Sequence, residues 1–136
     1  MYDKKVAMVI YDSLLPWQKL NVAAFLASSI AIKFPETHGD EFVTADQVRF
    51  LPFLKNPILI YKAETAEKLQ RAFARSRDRD LAIGIYTNPL FETRSGEENV
   101  SLIAKNTVNK LDLAGIIVYG ENKIVDKALD GLKFHE

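Results

Sequence analysis

Lys4-Lys5-Val6-Ala7-Met8-Val9-Ile10-Tyr11-Asp12, followed after three residues by Pro16-Trp17-Gln18-Lys19-Leu20-Asn21-Val22-Ala23-Ala24-Phe25-Leu26, is the stretch that decides the fold. An unbroken apolar run of strand length, a short polar joint and then a long helical period describe a strand feeding a helix that packs back over it. The run is apolar on both faces, which places it centrally, covered from both sides. Proline is tolerated in a first helical turn because its missing donor would have had no partner there, so the helix is predicted over residues 16–34. Its inward stripe is expected at Leu20, Ala23, Ala24, Ala27, Ile30, Ala31 and Phe34, with Gln18, Asn21, Phe25 and Ser28 along one edge.

Working outward, the residues around Ala45-Asp46-Gln47 alternate at Phe42, Thr44, Val48 and Phe50, the pattern of a short hairpin. Residues 58–61 and 81–86 read as core strands, the second stopped by Thr87-Asn88-Pro89 because proline cannot donate to a ladder. Between them residues 65–79 form an amphipathic helix with Leu69, Ala72, Phe73 and Ser76 inward. Ser95-Gly96-Glu97-Glu98 fits a capping box and predicts a short helix to about residue 106. A fourth core strand is expected at 113–119 and a last helix at 122–130, where Gly131-Leu132 resembles a glycine stop with its hydrophobic contact. Strands separated by helices imply a single α/β domain, residues 1–136. Its expected architecture is a three-layer α/β/α sandwich on a mixed, mostly parallel four-stranded sheet. In such sheets ligands sit beyond the carboxyl ends of the strands. That rule selects Asp12, Ser13, Trp17, Gln18 and Asn21 after the first strand and Thr87 and Asn88 after the third.

Composition narrows the chemistry. Of the 136 residues, 18 are basic and 18 acidic, which argues against a dedicated nucleic-acid binder, whose affinity rests on a basic excess. Phosphates would be contacted only along Lys68, Arg71, Arg75 and Arg79, and that line is interleaved with Glu64, Glu67, Asp78 and Asp80, as a solvated helix face is. With no cysteine, disulfides, thiolate nucleophiles and iron-sulfur ligation are excluded by inventory. His38 and His135 are the only histidines, one in a polar loop and one after the last helix. Neither is expected at a strand end, which disfavours a Ser-His-Asp arrangement and a histidine metal site. No GxGxxG occurs and Gly120 is followed by Glu121-Asn122 where a phosphate-cradling loop needs Lys-Ser or Lys-Thr, so no cofactor is expected. The longest uncharged run, residues 20–32, is short of the ~20 apolar residues of a spanning helix, and Asp12 interrupts the apolar run after the amino-terminal lysines. A cytoplasmic protein without membrane contact is expected.

Trp17, Gln18, Asn21, Thr87 and Asn88 are the candidate ligand-binding residues, since an aromatic platform beside amide donors and acceptors suits a small polar or peptidic ligand. Each also has a packing reading: the tryptophan seating the helix start against the sheet, and Thr87-Asn88 making a turn ahead of Pro89.

Val6 to Tyr11, Leu14-Leu15-Pro16-Trp17-Gln18 and Leu20-Asn21-Val22-Ala23-Ala24-Phe25-Leu26-Ala27 carry a resemblance that extends over Tyr86-Thr87-Asn88-Pro89-Leu90-Phe91, Leu111-Asp112-Leu113, Asn122-Lys123-Ile124-Val125-Asp126-Lys127 and Gly131-Leu132-Lys133. Together they resemble a mainly bacterial family catalogued as a domain of unknown function, and the resemblance implies an α/β/α fold similar to type 2 peptidyl-tRNA hydrolase. The hydrolase's helix Ala-Ala pair is matched at Ala23-Ala24. Where it has a lysine two residues earlier this chain has Asn21, and its acidic residue after the third core strand falls at Asn88. Asn21 and Asn88 are thus the candidate catalytic positions by resemblance, but two amides supply neither a cation for an oxyanion nor a base. Lys19 lies roughly 200° around the helix from Asn21 and should not fill the lost role. Residues 92–111 look like an insertion relative to the hydrolase that reshapes the cleft. The resulting expectations are a ligand-binding domain, a diverged hydrolase of acyl or peptidyl esters or amides, or a module that self-associates as a homodimer through the hairpin and the inserted helix.

Overall fold

In the computed structural model, which describes residues 2–136, the elements in chain order are β1 (Lys4–Tyr11), α1 (Pro16–Lys33), β2 (Phe42–Val43), β3 (Arg49–Phe50), β4 (Ile58–Ala63), α2 (Ala66–Asp78), β5 (Ala82–Thr87), α3 (Gly96–Ala104), β6 (Leu113–Glu121), α4 (Asn122–Ala128) and β7 (Lys133–Phe134). Strand β1 is the centre of a five-stranded sheet of order β5-β6-β1-β4-β7, and Val6 through Ile10 are at most 3 % exposed. Its alternation sorts the core into two layers. Val6, Met8 and Ile10 meet Val22, Leu26 and Ile30 of α1, while Ala7 and Val9 meet Leu69, Ala72 and Phe73 of α2 and Val125, Ala128 and Leu129 beside α4. The layers are therefore helix, sheet and helix pair, as expected.

The sheet itself departs from expectation. It has five strands rather than four, and only β1 and β4 pair in parallel; β1 with β6, β5 with β6 and β4 with β7 are antiparallel. A parallel return needs a connection that packs across a sheet face. α3 does not do this: none of its residues is buried and it packs on the turn before it, so β6 comes back antiparallel to β5. β7 escaped notice because Lys133-Phe134 has too few residues for a periodicity. Strands β1, β4 and β5 nevertheless share one direction, so the residues that follow them collect at one end of the sheet.

α1 is also phased differently. Its inward line is Val22, Leu26 and Ile30, with Ala23 and Ala27 half-buried, whereas Leu20 is 72 % exposed and Ala24 faces solvent. The helix carries apolar residues nearly all round, so the period alone left its phase open. The inward residues expected for α2 are all buried, and Thr65 caps that helix by accepting from the Lys68 amide at 3.2 Å. Ser95 caps α3 likewise, although Glu98 reaches back to the amide of Arg94 and not of Ser95. The hairpin forms as expected, with β2 and β3 antiparallel and Gln47 in the left-handed region at φ 68°. Among the described residues no helix is long and apolar enough to cross a membrane.

α1 approaches β6 so closely that the sheet needs glycine beneath it. A Cβ on Gly115 would lie 2.7 Å from Val22 Cγ1 and 3.1 Å from the Val9 carbonyl oxygen. Gly115→Ala should therefore cost about 1–3 kcal/mol in urea unfolding by overpacking. Gly96→Ala, whose added carbon meets nothing within 4 Å, should be neutral or slightly stabilising in the same assay.

Candidate functional site

Two groups of polar side chains occupy the end of the sheet where β1, β4 and β5 finish. The first is a hollow of about 460 Å³ beside β5, walled by Asn21 and Phe25 of α1, by Tyr86, and by the segment from Leu90 to Asn99. Its aromatic wall is built stepwise: Trp17 stands edge-on to Phe91 at 5.6 Å, Phe91 lies 4.9 Å from Tyr86, and Tyr86 lies 6.0 Å from Phe25. Trp17, Asn21 and Phe25 are spaced by four and so share one flank of α1. Opposite them the Thr93 hydroxyl sits within hydrogen-bond reach of the Leu90 carbonyl and the Asn99 carboxamide oxygen. Burial raises the Tyr86 pKa above the ordinary phenol value, so this ring is a neutral donor at physiological pH.

Of the five residues selected from sequence, Asn21 lines the hollow and has no hydrogen-bond partner among the described residues, and Trp17 buttresses the wall. The others are placed differently. Gln18 Oε1 accepts from the Leu15 amide at 2.9 Å and caps α1. Asn88 donates to the Asp112 carboxylate at 3.0 Å and its amide bonds the Asp112 carbonyl, tying the end of β5 to the start of β6. Thr87 is 2 % exposed with its hydroxyl unpartnered, and neither it nor Asn88 lines the hollow. Thr93, Arg94 and Asn99 were not anticipated; they belong to the segment read as reshaping the cleft, but no local pattern marks which of its residues turn inward.

The second group lies across α1, where β1 and β4 end and β7 runs antiparallel beside β4. Lys19 Nζ is 3.1 Å from Asp12 Oδ1 and 3.0 Å from His135 Nε2, and all three side chains are at least two-thirds buried. An ammonium only donates, so Nε2 accepts and the imidazole proton sits on Nδ1, directed at the Glu136 carbonyl 2.7 Å away. This corrects the expectation for His135, which follows β7 directly and is pinned at a strand end by its amide's bond to the Ile60 carbonyl. His38 lies in the loop as expected, its ring near the Ala31 carbonyl. Lys19 extends the inward line of α1 past the end of the sheet, and Asp12 is the member of the cluster that the strand-end rule selects from sequence. Beside it Lys62 pairs with Glu136 at 2.8 Å. The hydrogen bond from Lys19, then the charges of Lys19 and Lys62, hold the Asp12 carboxyl below its ordinary value against a desolvation penalty. Glu136 is lowered and Lys62 raised by their mutual bond.

The basic line on α2 lies apart from both groups, where Lys68, Arg71 and Arg75 border a shallow hollow of about 230 Å³ with Asp130 and Arg75 donates to the Asp130 carbonyl. The described residues hold no set of three metal-ligating side chains.

The chain matches the family model for protein of unknown function DUF2000 over residues 4–136, and it belongs to that family. It is also similar to a solved protein of unknown function from Agrobacterium tumefaciens strain C58, with a TM-score of 0.94 and 30 % identity over the whole of both chains. No curated protein matches it.

A depressed Asp12 pKa has a definite sign: the stability it contributes is present above the unfolded aspartate value of about 3.9 and lost as pH falls through the lower folded value. Asp12→Asn should thus melt below the wild type at pH 5–7, and the gap should close on acidification below pH about 4 in thermal melts. Thr87→Val, which removes a buried hydroxyl without a partner, should raise stability by about 1 kcal/mol, read as a higher melting temperature.

Proposed function

We propose that this DUF2000 domain binds a small or peptidic ligand in the hollow at the end of β5. The observation that carries the reading is the Asn21 carboxamide, which lines the hollow with its donors and acceptor unpaired, flanked by the rings of Phe25, Tyr86 and Phe91. Concave, largely apolar surfaces with a few convergent polar groups are what ligands of this size occupy. Trp17 belongs to the reading as the support of Phe91. Gln18 and Asn88 hold the surrounding backbone in place, and Thr87 is buried with its hydroxyl unpartnered. The proposed setting is the cytoplasm, in keeping with a chain that contains no cysteine.

A likeness to type 2 peptidyl-tRNA hydrolase stays part of the proposal at the level of fold, on the small-residue pair Ala23-Ala24 and the layered α/β/α arrangement. Its hydrolytic mechanism has less in its favour. Asn21 and Asn88 bring no charge, the Asn88 carboxamide is already engaged by Asp112, and Lys19 is turned toward Asp12 and His135.

The Asn21 side chain is exposed and has no hydrogen-bond partner among the described residues, so replacing it should leave the fold alone. Asn21→Leu is expected to shift the melting temperature by less than about 2 °C. The same change should abolish retention of any metabolite that copurifies with the wild type, as read by native mass spectrometry. A large loss of stability would instead make Asn21 a structural residue and end the proposal.

A further inference from the structure

β5 is the outermost strand on its side of the sheet and hydrogen-bonds to β6 alone. Alternate residues of such a strand turn their N–H and C=O groups away from the partner, and among the described residues no other backbone group bonds to this outer row. Folded chains ordinarily blunt an exposed edge with lysine, proline or a covering element, because it templates pairing with another chain. Ala82-Ile83-Gly84-Ile85-Tyr86-Thr87 has neither lysine nor proline. Facing it is α3, with no buried residue of its own and Val100 72 % exposed.

Between β5 and α3 runs an apolar slot of about 560 Å³ bordered by Phe25, Ile85, Tyr86, Val100, Ile103 and Ala104. Ile85 and Tyr86 pack into the two opposite core layers, yet both border the slot. It therefore follows the strand's edge and not one face. The slot shares Phe25, Tyr86, Leu90 and Asn99 with the hollow beside Asn21, so the two make one groove, apolar at one end and polar at the other. Arg94 is the one charged side chain lining that groove, and its guanidinium has no ion-pair partner among the described residues.

We infer that the groove takes an extended peptide that joins the sheet as a strand on the outer edge of β5 and sets a carboxylate against Arg94. The inference rests on the reading of the hollow as a ligand site and names the class of ligand. A row of alternating backbone donors and acceptors has another extended backbone as its complement, and apolar side chains on alternate positions of that backbone would fill the space under Ile103. Six residues of β5 match a peptide of about six residues at ~3.3 Å per residue. A second copy of this chain pairing through its own β5 fits less well, because that strand is uncharged and would leave Arg94 unanswered.

The test is a titration of ¹⁵N-labelled protein with a hexapeptide of alternating valine and threonine bearing a free carboxylate. Parallel titrations use the same peptide as its carboxamide and two forms N-methylated at every second amide, one in each frame. Expected are shifts at the β5 amides and at the Asn21 and Asn99 carboxamides, slower hydrogen exchange along β5, and at least about tenfold weaker binding for one methylated frame only. Arg94→Gln, an exposed position whose variant should keep the wild-type spectrum, should weaken the carboxylate peptide about tenfold and leave the carboxamide unchanged. Equal binding of both methylated frames overturns strand pairing. If N-acetyl amino-acid amides shift Asn21 while no peptide does, the peptide inference falls and the ligand site stands. If neither perturbs the groove, both fall. A dimeric mass with β5 protected before any peptide is added gives the edge to a second copy and overturns the inference.

Discussion

The burial of Val6 through Ile10 on both faces and both edges at once is the constraint from which the architecture follows. Five fully buried apolar side chains at roughly 1.5–3 kcal/mol each amount to about 10 kcal/mol, comparable to the whole net stability of a domain. Such a strand has no half-built state worth occupying: it needs a helical layer on each side and a hydrogen-bonding neighbour along each edge. α1 supplies one layer and α2 with α4 the other, while β4 and β6 supply the edges. Ionisable groups are thereby driven off the faces of the sheet, and the place left for them is where the strands end.

How much of this the sequence discloses depends on whether an element is specified locally. β1 and β6 announce themselves as apolar runs, and α2 does so through a polar face and an apolar one at helical spacing, so its four inward residues were legible one by one. α1 was legible as a helix but not in its rotation, because Leu20, Phe25 and Ile32 make its outer side as apolar as its inner side. The sense of β6 was misread for a different reason. A helix between two strands was taken as a crossover, and whether it is one depends on its resting on the sheet, which its own residues do not reveal. β7 has two residues, and it is held by backbone pairing with β4 and by Phe134 stacked on Tyr61 at 4.6 Å, contacts formed across the fold.

The candidate site divides along the same line. Asn21 and Trp17 were selected by a rule about strand ends that needs only the order of elements. Asn88 obeyed the same rule yet is consumed by Asp112, a partner from the next strand. Lys19, Asp12 and His135 converge from both ends of the chain, Lys19 and His135 being 116 residues apart, and no spacing records such a meeting. Asp12, selected by the strand-end rule, was the member the sequence offered; Lys19 joins the inward line only once the rotation of α1 is known.

Hydrogen-bond accounting then separates the two polar groups by what each has left to offer. Around Lys19 the demands are already met: Asp12 and Glu136 answer Lys19 and Lys62, and His135 has a partner on each ring nitrogen. A ligand entering there would have to displace bonds that hold β7 to the sheet. Beside β5 the account is open. Among the described residues the Asn21 carboxamide, the Arg94 guanidinium and the outer row of backbone groups have no partner, and no residue of α3 is buried. Unpaired polar groups tolerate exposure to water, but gathered along one groove with aromatic walls they lose little by exchanging it for a ligand, because water is the only partner given up. The closed cluster is thus the part of this sheet end that fastens the fold, and the open groove is the part free to recognise something else.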